Sequence, residues 1–130
     1  MSWQRGDVVL CRVPMPSTQL QQFKVRPAVI VSADMLNQSD DVMVVPCTSN
    51  TRRPIAATQY LITGDEVVAV RIRVDSIIRC ESIFTLNQSM VLRRLGGLSA
   101  EMIDRMSICS IAALSLVTEI WLRLLESLNR

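Results

Sequence analysis

The sequence predicts a mainly β, α+β domain. It would be a small, strongly bent antiparallel sheet or barrel with short helices and a long C-terminal helix packed outside. Three observations lead there. Short β-rich runs separated by turn signals fill the first 85 or so residues. The chain changes character near Asn87, and neither Pro nor Gly occurs beyond Ser99. The chain is also 130 residues long, 49% hydrophobic and only 20% charged. That suffices for one real core and is too apolar for disorder. The expectation is one domain over residues 1–130, with 118–130 as a helical extension.

Asp7 to Arg12 is the first strand, ended by Pro14 and Pro16 because proline donates nothing to a sheet ladder. A polar loop runs from Pro14 to Gln22. Ala28 to Ser32 is a nearly continuous apolar run, as expected of a strand buried on both faces. Ser32 to Gln38 suits a short helical turn and Ser39-Asp40-Asp41 a turn. Val42 to Pro46 is a second buried strand, and Thr48 to Pro54 a polar, turn-forming stretch. Ala57 to Thr63 is a strand, followed by a Gly64-Asp65-Glu66 turn. Val67 to Val74 alternates apolar and charged residues, which predicts a half-exposed strand. Ser76–Ile78 and Ile83–Thr85 are short strands, and Gln88–Leu95 suits a short helix stopped by Gly96-Gly97. Ser99 is a good N-cap with Glu101 in the first turn, so one helix is expected from Ala100 to about Leu128. It carries two apolar stripes. Met102, Ile103, Met106, Ala113, Val117, Ile120 and Leu124 form one; Leu114, Trp121, Leu125 and Leu128 form the other. One can pack on the sheet; the second either covers the same domain or meets a partner helix or subunit.

Composition removes several classes of function. The most apolar stretch, Met106 to Val117, is too short to span a membrane, and the N-terminus does not read as a signal peptide. A cytoplasmic location is expected. Cys11, Cys47, Cys80 and Cys109 lie in apolar runs with no CxxC pair, as for small hydrophobes in a reduced compartment. The chain has no histidine, so no Ser-His-Asp triad or His acid–base pair can exist. Thirteen of the fourteen basic residues are Arg, whose planar fork suits phosphate and carboxylate; Lys24 is the only lysine. The excess of positive charge lies in residues 1–98, which permits nucleic-acid binding without demanding it.

Two motifs could carry chemistry. Arg26, stiffened by Pro27, stands at the mouth of the first buried strand. Thr48-Ser49-Asn50 follows the second. Alone, the first also fits a strand-end ion pair and the second an ordinary turn. Together they place a cation beside directional donors, which would clamp a phosphate.

Here the sequence resembles the MazF/PemK family of toxins from bacterial toxin–antitoxin pairs. The likeness rests on Arg5-Gly6-Asp7-Val8-Val9-Leu10, then Lys24-Val25-Arg26-Pro27-Ala28-Val29-Ile30-Val31-Ser32, then Val44-Val45-Pro46-Cys47-Thr48-Ser49-Asn50. It continues through Asp75 to Thr85 and Arg94 to Ser99, and covers roughly residues 5–117. The resemblance implies an SH3-like barrel that forms a homodimer and acts as an endoribonuclease on single-stranded RNA. It implies no metal or other cofactor, no membrane, and a cognate antitoxin that covers the RNA groove. The implied reaction is attack of a ribose 2′-OH on the adjacent phosphate, leaving a 2′,3′-cyclic phosphate and a 5′-OH. Arg26 matches the family's catalytic arginine and Thr48 its catalytic threonine. Gln19, Gln21, Phe23, Lys24, Ser49, Asn50, Arg52, Glu81 and Ser82 are the expected RNA-binding residues.

The chain departs from the family pattern in places. The loop before Arg26 lacks the usual acidic residue, Ser82 stands where Gln is common, and Gln88 and Met90 replace frequent basic residues. These changes bear on the general base and on sequence specificity. An alternative of another class is a CcdB-like toxin that binds gyrase without cutting, or a non-catalytic RNA-binding or interaction protein of the same fold. The intact Arg26 and Thr48 pair argues against the gyrase reading.

Overall fold

The computed structural model describes residues 2–15, 21–114 and 123–129. In chain order the strands are β1 (Asp7–Pro14), β2 (Phe23–Ile30), β3 (Asp41–Thr48), β4 (Gln59–Ile62), β5 (Ser76–Arg79), β6 (Phe84–Asn87) and β7 (Val91–Gly97). Helix α1 (Asp65–Ala69) joins β4 to β5, and α2 (Ala100–Ala113) follows β7. Every strand pairing is antiparallel, in the order β4-β5-β3-β2-β1-β7, with β6 also on β3. The expected bent antiparallel sheet is present. It does not close on itself, so the barrel is approximate.

Two apolar clusters, one on each face of the central strands, explain why β1, β2 and β3 read as continuous apolar runs. Val8, Val29, Val45 and Cys47 face Tyr60, Ile62, Ile78, Met102 and Met106, under α2. Val9, Cys11, Ala28, Ile30, Val42 and Val44 face Leu86 and Val91 across the curl of the sheet. Successive residues of one strand thus alternate between two cores, as the period-two geometry of a strand requires.

Three expectations need correction. Val67 to Val74 is not a strand. Asp65 and Glu66 open α1, where carboxylates complement the helix N-terminus, and the Tyr60 hydroxyl donates to Glu66 Oε2 at 2.5 Å. Val70 is then fully buried and Arg71 turns the chain with φ +61°. The alternation is satisfied by a turn over the core rather than by an extended strand.

The predicted helix over Gln88–Leu95 is instead a 3-10 turn, Gln88–Met90, followed by β7. Asn87 caps the start of the turn, its side chain accepting from the Ser89 N–H at 2.9 Å, and β7 fills the otherwise open edge of β1. The third correction concerns the terminal helix. Ser99 caps α2 as expected, its Oγ accepting from the Met102 N–H at 3.2 Å. But α2 ends at Ala113, and residues 123–128 are helical again. Met102 and Met106 bury the first stripe on the sheet. Leu114, Leu124, Leu125 and Leu128 are exposed. Val117, Thr118, Ile120 and Trp121 lie outside the described residues.

Candidate functional site

The site lies where β2 and β3 part. Their ladder pairs Ile30 with Val44, Val29 with Val45 and Ala28 with Pro46, and stops there. Pro46 and Pro27 lack the N–H that continued pairing would need. Beyond that point β3 turns away to β5, pairing Cys47 with Ile78 and Thr48 with Ile77. Carried on by two residues, the β2–β3 register would set Arg26 against Thr48. The side chains at this fork are therefore not sealed by a ladder.

Two cavities meet at the fork. The larger, about 700 Å³, has Leu10, Pro27 and Cys47 in its lining, with Arg26, Thr48 and Ser49 beside them. The smaller, about 330 Å³, is lined by Arg26, Arg79 and Ser82 together with apolar groups from Val13 to Phe84. Arg26 lines both.

Thr48 is half-buried, and its Oγ1 accepts from the Asn50 N–H at 3.2 Å. That bond fixes the hydroxyl oxygen and leaves its proton to donate outward. Asn50 Oδ1 in turn accepts from the Arg52 N–H at 3.4 Å, so the turn after β3 is self-braced. Cys47 lies in the wall beside them. Burial pushes its thiol up to about 12, with Cys80 adding to the rise and the charge of Arg26 opposing it. It stays protonated at neutral pH and cannot serve as a base.

The expected RNA-binding residues divide. Lys24 and Ser49 line the larger groove, and Ser82 the smaller cavity. Phe23 begins β2 opposite Pro14 and is half exposed. Gln21, Asn50 and Arg52 are exposed and line neither cavity. Gln19 lies outside the described residues. Glu81 also lines neither cavity. It accepts from Gln59 Nε2 at 2.8 Å, Thr58 Oγ1 at 3.2 Å and Arg79 Nε at 3.2 Å. Burial raises its pKa, but these bonds and one from its own backbone outweigh that and hold it below the ordinary carboxylate value. Glu81 is a latch between the ends of β4 and β5.

The sequence reading missed Arg71, Arg73, Arg93 and Arg94, which all line the larger groove. Arg71 and Arg73 come from the turn after α1. Arg93 and Arg94 come from β7, where the register against β1 shifts twice, at Leu10/Cys11 and at Val8/Val9. Such bulges re-aim side chains. Two closely spaced Arg pairs in an Arg-dominated chain were the available signal. Arg94 Nε is held by Asp7 Oδ1 at 3.0 Å. Among the described residues no carboxylate lines the groove. Among the described residues no group of His, Cys, Asp and Glu side chains is arranged to hold a metal ion, and no helix is long and apolar enough to cross a membrane.

Comparison with solved structures places the fold. A Mycobacterium tuberculosis toxin, MazF-mt6, superposes with TM-score 0.66 at 17% identity, over 84% of this chain and 96% of its own. An endoribonuclease from a mycobacterial species, solved with its cognate antitoxin, gives TM-score 0.67 at 23% identity, over 88% and 96%. MazF from Deinococcus radiodurans gives TM-score 0.67 at 15% identity, over 88% and 98%. No curated protein matches the chain. The family model for the PemK-like, MazF-like toxin of type II toxin–antitoxin systems matches residues 4–109. Over that span the chain belongs to the PemK-like, MazF-like toxin family.

Proposed function

We propose that this toxin is an endoribonuclease that cuts single-stranded RNA at the fork between β2 and β3. The observation that carries the reading is Arg26 and Thr48 brought to one carboxylate-free basic groove. Such a groove attracts a phosphodiester and offers it charge and directed donors together.

In the proposed reaction the ribose 2′-oxygen bonds to phosphorus as the bond from phosphorus to the 5′-oxygen breaks. The 2′-OH gives up its proton and the departing 5′-oxygen gains one. The products are a 2′,3′-cyclic phosphate and a 5′-OH. Negative charge grows on the non-bridging oxygens in the transition state. The Arg26 guanidinium meets that charge with N–H groups held on β2, and the Thr48 hydroxyl donates its O–H to one of the same oxygens. Donors fixed before the reaction act most strongly where water is excluded. Arginine keeps its proton far above neutral pH and is better suited to this stabilisation than to proton transfer.

Two structural neighbours are endoribonucleases, and one of them is in complex with its cognate antitoxin. That supports a toxin silenced by an antitoxin; the reading places the antitoxin chain over the same groove and the pair in the cytoplasm. A homodimer with the exposed leucines of the C-terminal extension at its interface, or beneath the antitoxin, fits the apolar surface left open at Leu124, Leu125 and Leu128.

The test is cleavage of a long, unstructured RNA by purified protein in EDTA, with the new 5′-OH ends mapped. Wild type should cut at one short motif. Arg26→Ala should lose on the order of 10²–10³ in rate, as for removal of one oxyanion donor. A folded wild type that cuts nothing would overturn the reading.

A further inference from the structure

Arg71, Arg73 and Arg93 have no part in the chemistry proposed for Arg26 and Thr48, yet the fold brings them to the same groove. The ion pairs among the described residues are Arg79–Glu81, Arg94–Asp7 and Arg105–Glu101. None of them engages Arg71, Arg73 or Arg93. Among the described residues, three arginines thus line the groove without an ion-pair partner.

Their backbone is held firmly. Val70, just before Arg71, is fully buried. Gly96 of β7 lies so close that a Cβ there would fall 2.4 Å from the Val70 carbonyl oxygen. Arg71 itself occupies the left-handed region at φ +61°, which a residue with a side chain adopts only where the surrounding structure holds it there. Ile72, between the two arginines, packs against the core under α2. The segment is anchored by its apolar residues, and the guanidiniums stand on a preorganised base. Arg93 sits opposite Leu10 of β1, which itself pairs with Pro27 next to Arg26. All three arginines therefore share one groove with Arg26.

We propose that Arg71, Arg73 and Arg93 are positioning residues that bind successive backbone phosphates of the RNA strand beyond the phosphate at Arg26. The proposal rests on the endoribonuclease reading for the identity of the strand. It makes the toxin dependent on substrate length: a strand must extend several phosphates past the cut to use these contacts. Because they touch phosphates distant from the reacting bond, they contribute to binding in ground and transition state alike. Their loss appears in KM rather than kcat.

The test uses the full chain and a dye-labelled 2′-O-methyl oligonucleotide, which lacks the attacking hydroxyl and so reports binding alone. Affinity is measured by fluorescence anisotropy across a salt series. Each single-strand phosphate contact adds about 0.7 to the slope of log affinity against log salt. Arg71→Ala with Arg73→Ala should flatten that slope by about 1.4, and Arg93→Ala, on a separate element, by about 0.7. Arg105→Gln on α2, equal in charge to one of these changes but outside the groove, should leave the slope as in wild type. On a cleavable RNA the double variant should raise KM several-fold with kcat kept, and a dinucleotide substrate should show no difference. Lysine at both positions should restore the slope.

An unchanged slope in both the folded double variant and Arg93→Ala would overturn the proposal, as would a loss confined to kcat. A double variant that loses binding to a polyglutamate probe while keeping its slope on the oligonucleotide would assign the groove to an acidic peptide and overturn it too. A wild type that cuts no RNA, yet binds the oligonucleotide with a slope that falls in these variants, would remove the endoribonuclease reading and leave the phosphate sites standing.

Discussion

Replacing Gly96 by alanine tests how the groove wall is held. An added Cβ would lie 2.4 Å from the Val70 carbonyl oxygen, 2.8 Å from its carbonyl carbon and 3.3 Å from its Cα. All three atoms are backbone, so no side-chain rotation relieves the clash. Restoring van der Waals contact needs β7 and the Val70 segment to separate by about 1 Å. Val70 is fully buried in the core under α2, and Gly96 is paired with Val8 of β1, so neither element can give way alone. Overpacking of this kind costs about 1–3 kcal/mol. For a domain of this size that lowers Tm by roughly 3–12 °C. The displaced segment carries Arg71 and Arg73, so oligonucleotide affinity should fall with it. Gly97→Ala is the matched control: its Cβ would meet the Arg94 guanidinium at 2.8 Å, the far end of a flexible side chain. It should cost under about 1 kcal/mol. Thermal melts by circular dichroism, with anisotropy on the same samples, would measure both. A Gly96→Ala protein with wild-type Tm and affinity would refute the claim that this contact seats the arginine segment.

Three further outcomes are expected. Burial holds Cys47 at about 12 and Cys11 and Cys80 at about 11, above the ordinary thiol value, so the unfolded chain ionises first as pH rises. The folded state therefore loses stability from about pH 9 upward, by about 1.4 kcal/mol per pH unit and thiol until the folded pKa is reached. Cys47→Ala should make this alkaline limb shallower in urea melts run between pH 8 and 11. Ser99→Ala, which removes the acceptor for the Met102 N–H, should cost about 1 kcal/mol in the same assay. Truncation after Val117 should change either the oligomer mass by light scattering or the affinity for the antitoxin; a protein unchanged in both would discard an interface role for the extension.

Much of the sheet was legible because its determinants are local. Ala28 to Val31 and Val42 to Val45 read as doubly buried strands because both faces of each meet a core. Arg26 and Thr48 stood out as polar residues at the ends of such strands. What stayed hidden depends on distant pairing. Nothing local distinguishes Val91–Gly97 as a strand, since its partner residues on β1 lie 80 or more residues earlier. The glycines that resembled a helix stop serve instead as close-approach points on a bulged strand. Val67 to Val74 has the right period for a strand, but the carboxylates at Asp65 and Glu66 and the burial of Val70 favour a helix and a turn. That error concealed Arg71 and Arg73, because an alternating strand would have sent them to solvent. The Arg93 and Arg94 pair was concealed by the same misreading of β7. Glu81 was placed with the RNA-binding set by the family resemblance alone; nothing local in the sequence announced its hydrogen bonds to Thr58, Gln59 and Arg79 at the edge of the sheet.

The carboxylate-free groove also links occupancy to folding. When it is empty, fixed positive charges on the Arg71 turn and on β7 repel one another across a distance that salt screens only over about 8–10 Å. Folding brings those charges together without an internal anion to offset them. Any polyanion that fills the groove relieves the repulsion and binds only the folded chain. At a hundred times its Kd such an occupant adds about 2.7 kcal/mol to stability. The unoccupied toxin is then the least stable form of the protein, and the surface that captures its target also makes the free chain the form most open to proteolysis.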